Sequence, residues 1–171
     1  MAESSVQLRP FREEDLDVVV RSSTEPAFSL PFEWGGYRSV PRLRARWEED
    51  WFLEKDPRQL AVAEGAGPAV GLVMWQDPRF GGMEGKNWEI GILLAPDVRG
   101  RGVGTEAQRL LAEHLFATTP VQRLSAWTEL ENVAEQRALE KCGFEREGVL
   151  RQGGWRGGAW RDLCLYGRLR G

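Results

Sequence analysis

Apolar side chains recur along this chain with two periods, and the switches between them mark out its elements. Val6-Gln7-Leu8-Arg9 alternates as a strand does. Pro10 and Phe11 lead into Glu13-Glu14-Asp15-Leu16-Asp17-Val18-Val19-Val20, where carboxylates ahead of an apolar face predict a helix N-terminus. Residues 23 to 40 are punctuated by proline and glycine and read as a loop. Pro41 to Leu53, rich in Arg, Glu and Trp, predicts a second amphipathic helix. Leu60 to Ala63 and Ala69 to Trp75 predict paired strands about a Gly65-Ala66-Gly67-Pro68 turn. A glycine-rich connection runs from Asp77 to Lys86, and Asn87 to Leu94 is the next strand. Val103, Ala107, Leu110, Leu111 and Phe116 share one helical face. Arg123 to Thr128 predicts a strand, and Asn132 to Cys142 a helix ended by Gly143. Two strands about Gly153 to Gly158 complete the pattern.

Short turns between most neighbouring strands make them antiparallel, whereas the crossover helix between Leu94 and Arg123 requires one parallel pair. The expected fold is α/β (α+β): a mixed, mostly antiparallel sheet of about seven strands flanked by about four helices. The length of 171 residues suits a single domain over 1–171.

Composition narrows the function by exclusion. A formal net charge of −3 offers no electrostatic case for nucleic acid or an anionic membrane surface. Cys142 and Cys164 lack metal-ligand spacing and read as buried reduced thiols. One histidine, His114, leaves no cluster for zinc and little room for a Ser-His-Asp triad, so no metal is expected. With no apolar leader and no run of membrane-spanning length, the expectation is cytoplasmic. Eight tryptophans stand out. Most read as core or subunit-contact residues, and Trp-rich terminal strands make a homodimer a reasonable expectation. Trp34, in Ser29-Leu30-Pro31-Phe32-Glu33-Trp34-Gly35-Gly36, lies in a segment suited to the lip of an acceptor pocket.

The chemistry concentrates in Leu93-Leu94-Ala95-Pro96-Asp97-Val98-Arg99-Gly100-Arg101-Gly102-Val103-Gly104-Thr105. Glycines at alternate positions clear the backbone for a ligand, and a helix begins at once. Backbone N–H groups and the positive end of that helix suit phosphate oxygens, with Arg99 and Arg101 adding charge. The loop reads as a pyrophosphate cradle. Gly102-x-Gly104-x-x-Ala107 also fits a short dinucleotide fingerprint, but Pro96 to Arg99 intervene between strand and glycines. No Gly-Lys-Ser/Thr ends the run, which excludes a Walker loop.

Arg99, Gly102 and Gly104 match the Arg-x-x-Gly-x-Gly acyl-coenzyme A signature, and Asn132 with Leu139-Glu140-Lys141-Cys142-Gly143-Phe144 matches a second. On these motifs the chain resembles the GNAT N-acetyltransferases. Phe144 to Arg151 and Trp160-Arg161-Asp162 through Tyr166 look like its RimJ/RimL branch. The resemblance implies that the backbone of Ile92, Leu93 and Leu94 pairs with the pantetheine arm like an added strand. Arg99, Gly100, Arg101, Gly102, Val103, Gly104 and Thr105 would hold the pyrophosphate, and Asn132 would meet the pantetheine or thiol end. The Leu94 N–H would be the oxyanion donor. Asn132 and Glu135 also fit a helix capping box, a role compatible with ligand contact.

The family's usual acids are absent: Leu139 stands where many members carry tyrosine, and Glu135 where RimL-like members carry serine. Either Glu135 or water would protonate the leaving thiolate, or none is needed. Glu89, on the strand feeding the loop, is the first choice of base, with an exposed strand carboxylate or an intrasheet salt bridge as its other reading. Glu33, on the long loop, is the second. Glu33, Asp77, Glu84 and Glu89 favour a cationic acceptor. The expected activity is acyl transfer from acetyl-CoA, or another short acyl-CoA such as succinyl-CoA, to a primary amine of a small molecule or a peptide or protein N-terminus. A non-catalytic acyl-CoA-binding or regulatory module is the alternative.

Overall fold

The computed structural model describes residues 6–78 and 87–171. Seven strands form one sheet: β1 (Val6–Arg9), β2 (Arg58–Glu64), β3 (Ala69–Gln76), β4 (Asn87–Leu94), β5 (Arg123–Glu129), β6 (Glu145–Arg156) and β7 (Ala159–Leu169). Their spatial order is β1-β2-β3-β4-β5-β7-β6, antiparallel except between β4 and β5. The helices are α1 (Leu16–Thr24), α2 (Pro26–Ser29), α3 (Val40–Asp50), α4 (Val103–Thr118) and α5 (Val133–Lys141). This is the mixed, mostly antiparallel sheet flanked by helices that the pattern predicts.

Alternation along each strand builds two cores on opposite faces. Val62, Val73, Trp75, Ile90, Leu124, Ala126, Cys164 and Tyr166 pack with Ala107, Leu111 and Leu115 of α4. The other face sets Ala61 and Leu72 against Phe11, Leu16, Val19, Phe28 and Phe52. Leu111, Phe28 and Phe52 are fully buried, and each side chain of this size stabilises the fold by about 1.5–3 kcal/mol.

Three local readings need correction. The segment 23 to 40 is not all loop, since α1 runs to Thr24 and Pro26–Ser29 forms a helical turn begun by its proline. The helix expected to reach Leu53 stops at Asp50. Trp51 and Phe52 adopt left-handed backbone (φ 55° and 61°), and the Asp50 carboxylate accepts from the N–H groups of Phe52 and Lys55. The last turn is narrower than Gly153 to Gly158: Gly157 and Gly158, both with positive φ, make a two-residue hairpin while Gly153 and Gly154 lie within β6. The tryptophans also divide, for Trp75 is core whereas Trp51, Trp155 and Trp160 are exposed.

The feature that positions the site is the parallel pair. β4 and β5 are matched only over Asn87–Glu89 and Arg123–Ser125, three rungs, after which the strands part. β4 keeps its pairing with β3 to Leu94. Among the described residues no helix is long and apolar enough to cross a membrane.

Candidate active site

Backbone geometry decides what β4 presents to the gap. The Ala95 N–H donates to Val70 O at 2.8 Å, which makes Ala95 and Val70 a hydrogen-bonded antiparallel pair. Such pairs alternate, so Leu93 and Gly91 also turn their polar groups to β3, and Leu94 and Ile92 turn theirs away from it. The N–H groups of Ile92 and Leu94 therefore face the parted side. Gly71 lies opposite Leu94 in the ladder, and a Cβ there would meet the Leu93 carbonyl at 2.3 Å.

Past β4 the chain makes a 3-10 turn (Pro96–Val98), then the glycine run, then α4. Gly100 and Gly102 have φ of +73° and +85°, conformations that glycine adopts without strain. Gly102 is the N-cap of α4 and has no side chain to cap it. The first intrahelical bond runs from Glu106 N to Gly102 O at 3.1 Å, so the N–H groups of Val103, Gly104 and Thr105 point out of the helix end. Gly104 packs on β4, where a Cβ would come 3.3 Å from Leu94 Cδ1 and 3.7 Å from Ile92 Cδ1. The helix start and the free edge of β4 are thus neighbours. Val103 is buried, and the Thr105 carbonyl accepts from Cys142 Sγ at 3.1 Å.

The two arginines of the loop diverge. Arg101 is exposed and pairs with Glu64 at 3.1 Å. Arg99 turns the other way. Its Nε donates to Leu94 O at 3.0 Å, one Nη donates to Leu30 O at 2.7 Å, and the other donates to Phe28 O. Its own N–H donates to Pro96 O at 3.3 Å.

At the far side of the gap Asn132 caps α5, its Oδ1 accepting from Glu135 N at 3.3 Å. The reciprocal half of the capping box is not made. The Asn132 N–H donates to Glu129 O at 2.9 Å, and the Glu135 side chain turns to Gln108. Gln108 is fully buried and also donates from Nε2 to Gly104 O at 3.3 Å, joining the first turns of α4 and α5.

Two carboxylates act on each other across this region. Glu33 is exposed on its loop. The protein packed about its carboxyl nonetheless lifts it to about 7 by desolvation, against the pull of Arg156, with Glu129 raising it further and Arg99 lowering it. Burial and then the charge of Glu33 lift Glu135 to about 8. Glu89 is buried at the last paired rung of β4, and its carboxylate accepts from Gln76 Nε2 at 2.9 Å. With Ser125, Trp127 and Leu165 it lines a cavity of about 370 Å³. Asp77 lies apart, its N–H donating to Asp56 at 3.1 Å, and Glu84 falls outside the described residues. A smaller cavity of about 180 Å³ is walled by Phe32, Trp34, Glu129, Glu131, Arg156 and Arg161. No cluster of three or more metal-ligating side chains occurs among the described residues.

Sequence reasoning missed Gly71, Gln108 and Arg156. A lone glycine inside a strand pattern was the available signal for Gly71. Gln108 and Arg156 carry no local signal, because their partners lie on other elements.

Residues 5–145 match the family described as the acetyltransferase (GNAT) domain. A comparison with curated protein sequences found no match. Among solved structures, the chain superimposes on the spermidine N-acetyltransferase of Vibrio cholerae in complex with CoA and spermine, with TM-score 0.80 and 19% identity, covering 98% of this chain and 96% of that one. An acetyltransferase (GNAT family) from Bacillus anthracis gives TM-score 0.78 and 22% identity over 99% and 96%. A dodecameric structure of the Vibrio cholerae enzyme gives 0.78 and 19% over 98% and 95%. At these identities the likeness is one of fold.

Proposed function

The chain belongs to the GNAT acetyltransferase family, and from that premise we propose that it acetylates a cationic primary amine at the expense of acetyl-CoA. The observation that carries the reading is the parting of β4 and β5 beside a helix whose N-terminus has no side-chain cap. A pantetheine arm bonds to the open edge of β4 through Ile92, and its pyrophosphate occupies the helix start at Val103, Gly104 and Thr105. The thioester then lies against the Leu94 N–H.

Chemistry follows from that placement. The ammonium surrenders a proton, its nitrogen attacks the thioester carbon, and the Leu94 N–H donates to the oxygen as negative charge develops there. The C–S bond breaks, the nitrogen loses its second proton to leave the neutral amide, and the thiolate takes a proton to become the free thiol. Glu33, poised near 7, suits the base at neutral pH better than an ordinary carboxylate, and Glu89 is the second candidate. Glu135, held near 8 and therefore largely protonated at neutral pH, suits the proton donor that the missing tyrosine and serine leave open.

Glu33, between Phe32 and Trp34 of the aromatic lip, favours a polyamine or another amine of small size over a neutral acceptor, whereas Glu129 and Glu131 of the adjoining cavity are already paired with Arg156 and Arg161. The spermine-bound relative is consistent with that choice, and a RimJ/RimL-type protein N-terminus is the second acceptor class. We read residues 1–171 as one domain working as a homo-oligomer. The test is thiol release from acetyl-CoA and succinyl-CoA with a panel of polyamines, aminoglycosides and peptides. Polyamine-dependent release from acetyl-CoA is the expected result. Acyl-CoA binding without turnover on any amine would establish the binding-module alternative, which the burial of Leu139 in place of an acid favours.

A further inference from the structure

Two arginines, each bonded to the end of one of the two strands that part, reach one short stretch of chain. Arg99 follows the end of β4 and is bonded to its last carbonyl, Leu94 O, at 3.0 Å. The same guanidinium donates to Leu30 O at 2.7 Å and to Phe28 O. Arg156, at the end of β6, forms an ion pair with Glu129, the last residue of β5. Its Nη1 donates to Trp34 O at 3.1 Å. Residues 28 to 34 are therefore tied to the ends of both parted strands. Glu33 lies between the ties, its own N–H donating to Ser29 O at 2.8 Å.

Building on the amine-acetylation reading, we propose that Arg99 and Arg156 are paired positioning residues. They strap residues 28 to 34 across the opening and hold Glu33 over the thioester, and Arg99 is not a ligand of the pyrophosphate. A guanidinium suits this work because its planar fork presents several N–H donors in fixed directions, and Arg99 spends them on carbonyls from two separate segments. Phosphate at the helix start would have to displace those bonds to recruit it. Arg101, exposed and paired with Glu64 at 3.1 Å, is the loop cation that can turn to phosphate. The arginine of Arg-x-x-Gly-x-Gly thus serves the acceptor side in this chain.

The variants are Arg99→Gln, Arg99→Lys and Arg156→Gln, with Arg101→Gln for contrast. In the ligand-free protein, Arg99→Gln and Arg156→Gln should each speed amide exchange in the segment 28 to 34 by about tenfold or more, because each removes one tie. In catalysis, Arg99→Gln should leave the acetyl-CoA dissociation constant within about twofold while kcat/KM for the amine falls about 100-fold, the size of loss expected from a displaced base. Arg99→Lys should recover part of that loss, since an ammonium still reaches one or two of the carbonyls. Arg101→Gln should show the opposite split, weakening acetyl-CoA and sparing the amine. Unchanged exchange in both strap variants overturns the proposal. So does a more than about tenfold loss of acetyl-CoA affinity in Arg99→Gln with amine kinetics intact. Should the unaltered protein bind no acetyl-CoA in calorimetry, the transferase reading falls, and the exchange measurement still decides the strap. If Arg99→Gln does not fold, Arg156→Gln carries the same comparison from the β5 side.

Discussion

Gly71 and Leu93 approach so closely that a Cβ on residue 71 would stand 2.3 Å from the Leu93 carbonyl oxygen. It would also lie 2.6 Å from Leu94 Cδ2. The first obstacle is backbone, which cannot rotate aside. Gly71→Ala should therefore push the end of β4 towards the gap, costing about 1–3 kcal/mol of stability by overpacking. Because the displaced N–H belongs to Leu94, kcat should fall more than KM rises. Urea denaturation and steady-state kinetics together check both halves, and a stable variant with full kcat would separate Leu94 from catalysis.

Glu33, as the proposed base, should set the acidic limb of activity. With its carboxyl near 7, kcat/KM for the amine should climb with pH and level off above about 7. Glu33→Gln should lose about 10²–10⁴-fold, the usual worth of a general base, and the limb with it. A variant that retains the limb at reduced rate would transfer the role to Glu89. Because Glu33 and Glu135 influence each other, the observed midpoints belong to the pair.

Stability should fall on the alkaline side. Burial raises the Glu135 carboxyl from 4.5 to about 8, so the folded state holds a proton that the unfolded chain has released. Between those two values the native form binds more protons than the unfolded one, and its stability drops as pH rises. The Tm should decline from pH 5 to pH 9, and Glu135→Gln should flatten that decline. A steeper slope in the variant would contradict it.

Asp15 should govern the opposite end of the scale. It is buried, accepts from the N–H groups of Arg12 at 2.8 Å and Ala69 at 2.7 Å, and forms an ion pair with Arg9. Burial alone would raise its carboxyl, but the Arg9 hydrogen bond and the two amides outweigh it and hold it below the usual 3.8. Its contribution is present above that value and lost as pH falls through the lower, folded one. Asp15→Ala leaves Arg9 unpaired and should cost about 3–5 kcal/mol near neutrality. A loss under 1 kcal/mol in denaturant titration, by the scale of exposed pairs, would show water replacing the carboxylate.

Much of this could be read from the chain. Period-two runs located β1 to β5 to within a residue or two, although β6 runs on to Arg156 through the expected turn, and the spacing between Leu94 and Arg123 required the single parallel pair. Gly102 and Gly104 announced a backbone cradle because glycine at such spacing changes what a main chain can touch. What escaped was set by partners distant in sequence. Arg99 reads as a phosphate cation until Phe28 and Leu30 appear beside it, about 70 residues away. Glu135 reads as half of a capping box until Gln108 claims its carboxylate. The early end of α3 depends on the left-handed Trp51 and Phe52, which no helical period reveals.

The gap beside β4 also has a protective consequence. A bare strand edge on the outside of a sheet invites pairing with other chains, and proteins commonly guard such edges with charge or proline. Here the free edge is internal. The opening begins beyond the rung of Glu89 and Ser125, where paired strands lie about 4.8 Å apart. A polypeptide strand brings side chains at every step, whereas a slender amide chain without them needs less room. The opening should therefore favour the slender guest by thickness, before any group on that guest is read.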